Sequence, residues 1–154
     1  MDNASFADQI QQGCKALGVT VGEDVPPRLH RLMGELLKWN AKVNLTAITA
    51  EGEVVEKHFL DSLAVLPEVE GAGSVLDVGA GAGFPGLPLK MARPSLAVTM
   101  VDAVGKKVGY LKAVGEDELR AQAGKRNLKV VSARAYRLPF SGAERQVASF
   151  AKAE

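Results

Sequence analysis

One stretch constrains the fold of this chain more than any other: Leu76-Asp77-Val78-Gly79-Ala80-Gly81-Ala82-Gly83-Phe84. A short β-type run, Ser74 to Val78, passes into three glycines at alternate positions, and Phe84 to Met91 can form a helix straight after them. Glycine tolerates positive φ and lets another group approach the backbone closely. Side chains at Gly79, Gly81 and Gly83 are expected to obstruct a nucleotide cofactor there. The helix start that follows offers free N–H groups. Pro85 falls near its first turn and Pro88 about one turn in, so a kink or a short first turn is expected.

A second β-type run, Leu96 to Val101, ends at Asp102, 23 residues beyond Gly79. A carboxylate about 20 residues past the first glycine can accept hydrogen bonds from both ribose hydroxyls. Dinucleotide and S-adenosylmethionine sites share that arrangement, and two details separate them. The dinucleotide pattern is G-x-G-x-x-G, whereas the spacing here is Gly79-x-Gly81-x-Gly83. Asp77 also precedes the first glycine. A carboxylate there suits the cationic methionine portion of S-adenosylmethionine and repels a pyrophosphate. The residues that this reading places at the cofactor are therefore Asp77, Gly79, Gly81, Gly83 and Asp102.

The rest of the chain frames this unit. Apolar residues at helical spacing predict a helix over 4–17, stopped at Gly18. A second opens at Pro26-Pro27, with Leu29, Leu32, Met33, Leu36 and Leu37 as its stripe, and a third begins near Thr49 and ends at Pro67. Lys106 to Ala113 reads as helical. Asn127 to Ser132 and Arg145 to Phe150 read as two strands joined through Pro139-Phe140-Ser141-Gly142. Helices followed by alternating β and α elements predict an α/β fold: a doubly wound, Rossmann-like sheet with an N-terminal helical cap and a C-terminal β-hairpin. Residues 1–68 form the helical extension and 69–154 the cofactor-binding part of a single domain.

Charge is unevenly placed. Residues 1–119 carry 11 Lys/Arg against 16 Asp/Glu, a net of −5, and residues 120–154 carry 8 against 2, a net of +6. An anionic partner and an ordinary solvated basic face are equally compatible with this. Lys38, Lys42, Arg93, Lys106, Lys107, Arg134, Arg137 and Arg145 are the candidate phosphate contacts, with an ordinary surface role the alternative for each. His58, with Asp61 three residues on, reads either as a contact to RNA or cofactor or as local packing. His30 reads as a surface residue and Trp39 as packing rather than base stacking. The single cysteine, Cys14, excludes an internal disulfide, reads as a small buried hydrophobe and fits a reducing cytoplasm. No Cys/His/Asp cluster has metal-ligand spacing, so no metal is expected. No apolar run approaches the ~18–20 residues of a membrane span.

Several blocks resemble one family, the 16S ribosomal RNA guanine-N7 methyltransferase G, or glucose-inhibited division protein B, family. They are Leu37-Lys38-Trp39-Asn40-Ala41-Lys42-Val43-Asn44-Leu45-Thr46; His58-Phe59-Leu60-Asp61-Ser62; Asp77 through Pro88, with Phe84-Pro85-Gly86 its most specific part; Val101 through Lys112; and Leu138-Pro139-Phe140 with Gly142-Ala143-Glu144-Arg145. The resemblance narrows the expected fold to the class I methyltransferase type. It implies that Gly79 and Phe84 contact S-adenosylmethionine and Asp102 holds its ribose. It implies methylation of N7 of one guanine in 16S rRNA of the small ribosomal subunit. The lone pair of N7 needs no general base, so no catalytic residue is expected, only alignment of donor and acceptor. The protein is expected to act as a monomer. A nicotinamide-dependent oxidoreductase is the alternative that the glycine turn alone allows.

The chain is shorter than members of this family. A block containing inner strands is missing near residues 112–116. Ser132-Ala133-Arg134-Ala135 looks like a motif of that block but falls in the hairpin. A sheet without its inner strands buries little apolar area, which favours a protein that carries the block. If the deletion is real, methyl transfer is expected to be weak or absent, leaving an RNA-binding remnant.

Overall fold

The computed structural model describes residues 1–115, 120–121 and 128–152. Within it, α1 (Asn3–Leu17) is capped at its start by the Asp2 carboxylate, which accepts from Ser5 N–H at 2.8 Å. Gly18, at φ 69°, closes it: Gly18 N–H donates to Lys15 and Val19 N–H to Cys14, the paired bonds of a Schellman end. Helix α2 (Val25–Val43) begins on Pro26-Pro27 and ends at Asn44, which takes the left-handed conformation at φ 49°. Both helices bury most of the stripe expected of them, with Cys14 fully inside and Leu17 and Leu37 half-buried. Burial pushes the Cys14 thiol up to about 11.

The third helix departs from a simple period. Helix α3 (Glu51–Val54) runs through a π-helical stretch, Val55–Leu60, into α4 (Asp61–Leu63). The wider turn shifts the phase of the buried face. Glu56 and Leu60 are therefore buried beside Val54, Val55, Phe59 and Leu63. Pro67 does not end this helix. It lies in a following 3-10 turn, Leu66–Val69, where its missing N–H costs no helical bond.

The α/β part comprises β1 (Ser74–Val78), α5 (Gly86–Ala92), β2 (Ala97–Val101), α6 (Gly105–Gly115) and a short β3 (Arg120–Ala121). These strands form one parallel sheet in the order β1-β2-β3. Val78 sits opposite Val101 and Thr99 opposite Arg120. The hairpin is separate: β4 (Leu128–Arg137) and β5 (Glu144–Lys152) pair antiparallel, with a register shift between Val130 and Ser132. Its strands are longer than the sequence pattern suggests.

A one-way strand order has a consequence. Crossovers of one hand and one direction lay their helices on one face of the sheet. Helices α5 and α6 accordingly both pack against α2. Asp77, Val98 and Met100 point into that covered face and are buried. The opposite face presents Ser74, Val78 and Ala97 exposed, with Leu76 and Thr99 half-buried. Val78 is 64% exposed. The architecture is mixed α/β with a small parallel sheet. Among the described residues the strand order never reverses, as a doubly wound sheet requires.

Candidate functional site

The glycine turn joins β1 to α5. Gly79, Gly81 and Gly83 have φ of 74°, 56° and 92°. All three need glycine for their backbone, but their surroundings differ. A Cβ on Gly79 would meet nothing within 4 Å, and one on Gly81 only the Gly79 carbonyl at 3.9 Å. These two line open space. A Cβ on Gly83 would fall 2.2 Å from Leu87 Cδ1 and 3.0 Å from Leu111 Cδ2. Close packing of the turn on α5 and α6, rather than room for a cofactor, excludes a side chain at Gly83. Gly86 belongs with it: a Cβ there would lie 2.6 Å from Met100 Sδ and 2.9 Å from Asp77 Oδ2. That contact gives a physical reason for the glycine of Phe84-Pro85-Gly86.

Pro88 produces no kink. It is the third residue of α5, where the N–H has no intrahelical partner in any case. The turn is closed by Gly83 and Phe84, whose N–H groups both donate to the Ala80 carbonyl at 2.8 and 3.2 Å.

Two carboxylates flank this turn, at the ends of adjacent strands. Asp77 is nearly buried and accepts from Gly86 N–H at 3.0 Å. Burial pushes its carboxyl up to about 6; the Gly86 bond opposes the rise and the nearby Asp102 charge adds to it. Asp102 is half-buried. One of its oxygens accepts from Gly81 N–H and the other from Val104 N–H, each at 2.8 Å. A carboxylate oxygen has two acceptor sites, so Asp102 retains capacity for ribose hydroxyls while pinning Gly81.

Phe84 faces the helical layer. Its ring stacks on the His58 imidazole at 4.4 Å with only 2° between planes, and meets the edge of Phe59 at 5.7 Å. His58 also shares a 2.9 Å hydrogen bond with Thr46 Oγ1. Burial lowers the His58 pKa, and the Asp61 charge opposes this in part. Glu56, buried in the π-helical stretch, reaches the far end of the chain: it accepts from Phe140 N–H at 2.8 Å and Ser141 N–H at 2.5 Å. Nothing in the sequence separates Glu56 from its exposed neighbour Glu53. Only the altered helical phase does so.

The basic candidates are scattered. Lys38 pairs with Glu35 at 3.6 Å and is exposed, as is Lys42 one turn on. Lys106 is exposed and Lys107 half-buried, both in the first turn of α6. Arg93 donates to the Ala92 carbonyl, and Arg137 is exposed at the end of β4. Arg134 and Arg145 fall in the hairpin strands, and their side chains lie outside the described residues. Trp39 packs edge-on to Tyr110 at 5.9 Å, in keeping with a packing role. His30 is half-buried rather than freely solvated, lying 4.8 Å from the Phe6 ring. Among the described residues no group of three His, Cys, Asp or Glu is placed to hold a metal, and no helix is long and apolar enough to cross a membrane.

A small parallel sheet, a glycine turn leading into a helix, and acids closing two neighbouring strands make this a mixed α/β protein. The family model for rRNA small subunit methyltransferase G matches residues 26–147. The chain is 52% identical to ribosomal RNA small subunit methyltransferase G of Myxococcus xanthus, with 99% of this chain and 100% of that protein covered. It is 51% and 49% identical to the proteins of that name from two strains of Anaeromyxobacter dehalogenans, over 76% and 75% of this chain and 54% of each relative. The chain belongs to the rRNA small subunit methyltransferase G family. Nothing in these likenesses favours an oxidoreductase.

Coverage also bears on the missing block. The Myxococcus alignment runs over 216 positions against 154 residues here, so at least 62 positions of that relative have no counterpart in this chain. Of the two Anaeromyxobacter relatives the chain spans about half the length.

Proposed function

We propose that this protein is an S-adenosylmethionine-dependent methyltransferase acting on N7 of a guanine in 16S rRNA of the small ribosomal subunit. The observation that carries the reading is the open backbone at Gly79 and Gly81, set between the carboxylates of Asp77 and Asp102. S-adenosylmethionine, when bound, supplies the methyl group as a sulfonium. Asp77 is the anionic partner for its cationic methionine portion, and Asp102 receives the ribose hydroxyls. Gly79 and Gly81 leave the cofactor room along the backbone, and Gly83 and Gly86 seat that backbone against α5. The N7 lone pair needs no proton removed, so no base–nucleophile pair is called for. The protein's contribution is orientation.

Lys38, Lys42, Lys106, Lys107, Arg134, Arg137 and Arg145 are proposed to meet the RNA backbone in a cytoplasmic, monomeric protein of one domain. The parallel sheet is proposed to be one half of a doubly wound sheet. The outer edge of β1 is free of a strand partner among the described residues and lies beside the glycine turn, where a reversal of strand order creates a cofactor crevice. The test is transfer of a labelled methyl group to small subunits lacking N7-methylguanine, with protein-free RNA as the comparison. Label in N7-methylguanine supports the reading. Salt-sensitive RNA binding without transfer would instead mark a non-catalytic remnant.

A further inference from the structure

Two blocks, Leu37 to Thr46 and His58 to Ser62, take no part in the cofactor reading, yet the fold brings them together on the glycine turn. We infer that His58, held by Thr46, is a positioning residue that sets Phe84 and through it the Gly79–Gly83 backbone for the cofactor. The inference rests on the proposed S-adenosylmethionine site.

The chain of contacts is continuous. Asn44 ends α2 in a left-handed conformation, which turns the following residues back on the helix. There the Asn40 side chain accepts from Leu45 N–H at 2.6 Å and Thr46 N–H at 2.8 Å. Thr46 is thereby fixed, and its hydroxyl meets His58 Nε2 at 2.9 Å. The imidazole plane is then locked face to face with Phe84. Phe84 N–H closes the turn on Ala80. The link matters because the turn is rich in glycine. Three positive-φ glycines have much conformational freedom to lose. A ligand that must order such a segment binds more weakly than one meeting a preformed turn. Burial favours the uncharged imidazole, consistent with a ring pressed flat on a phenyl face.

The test compares S-adenosylhomocysteine affinity, by calorimetry, for the wild type, His58→Ala, His58→Phe and Thr46→Val. Loss of a stacked pair predicts about 3- to 10-fold weaker binding for His58→Ala. His58→Phe keeps the stack and should restore most of the affinity, with Thr46→Val between the two. The wild type also offers a readout without cofactor, because it has only two histidines. The His58 imidazole proton signals should carry a ring-current shift that Phe84→Leu abolishes. Unchanged affinity in His58→Ala, or equal losses in His58→Phe and His58→Ala, overturns the positioning role while leaving the cofactor site intact. No binding by the wild type overturns the cofactor reading and this inference with it. Should His58→Ala fail to fold, Thr46→Val and His58→Phe decide.

Discussion

The two faces of the parallel sheet differ sharply. On one, Asp77, Val98 and Met100 are sealed beneath α5, and two glycines are so tightly packed that a methyl group would collide with its neighbours. On the other, Ser74, Val78 and Ala97 lie open. Parallel sheets are ordinarily covered on both faces. The difference follows from the strand order: a sheet that grows in one direction gathers its helices on one side. The glycine turn depends on the sealed face for its shape, through Gly83 against Leu87 and Gly86 against Met100.

The largest difference between the packed and open sides of the turn is expected at Gly83. Gly83→Ala adds strain at φ 92° and a clash with Leu87. It should cost about 4 kcal/mol in chemical denaturation. Gly79→Ala meets open space and should cost about 1 kcal/mol. Equal costs at the two sites would remove the distinction between a packed glycine and one that faces open space.

Asp77 tests the sealed face by pH. Its carboxyl is raised from 3.8 to about 6, so the folded state holds the proton more tightly than the unfolded chain. The resulting stability is fully present below pH 3.8 and is lost as pH rises through 6, by about 3 kcal/mol. Asp77→Asn should remove this component. Affinity for cationic S-adenosylmethionine should rise over the same window as Asp77 ionises, and Asp77→Asn should flatten that rise. Titrations of wild type and variant from about pH 3 to 8, spanning both pKa values, check both signs.

Glu56→Leu leaves the Phe140 and Ser141 N–H groups without their buried acceptor and should cost about 2 kcal/mol. Hydrogen exchange should then quicken at those two amides before it does in α1 and α2. The smallest effect is expected on the open face. Val78→Ser should shift stability by less than about 0.5 kcal/mol, against about 3 kcal/mol for Met100→Ala on the sealed face. A large loss at Val78 would show that something covers it.

Much of this was legible in the residues because local physics dominates there. β1 occupies Ser74–Val78 as the β-type run predicts, Gly18 stops α1, and Asp102 ends β2 beside the glycine turn. The hairpin turn falls at Pro139–Gly142 between its strands. The features that stayed hidden depend on packing between distant segments. The π-helical stretch buries Glu56 against an α-helical period. Gly83 is fixed by Leu87 and Leu111, the second of them 28 positions away in the sequence. The alternation of strands and helices predicts parallel pairing, but the direction in which the sheet grows is settled only by which strand edges meet. For His58, weighed between a ligand contact and packing, the structure finds packing against Phe84, which closes the glycine turn.

The Gly79–Gly83 turn is proposed to receive S-adenosylmethionine. Thermal unfolding of the wild-type chain with S-adenosylhomocysteine and, separately, with NAD tests it most directly. The account predicts a rise in Tm with S-adenosylhomocysteine that grows with ligand concentration, none with NAD, and loss of the rise in Gly79→Ala. Stabilisation by NAD alone would contradict it.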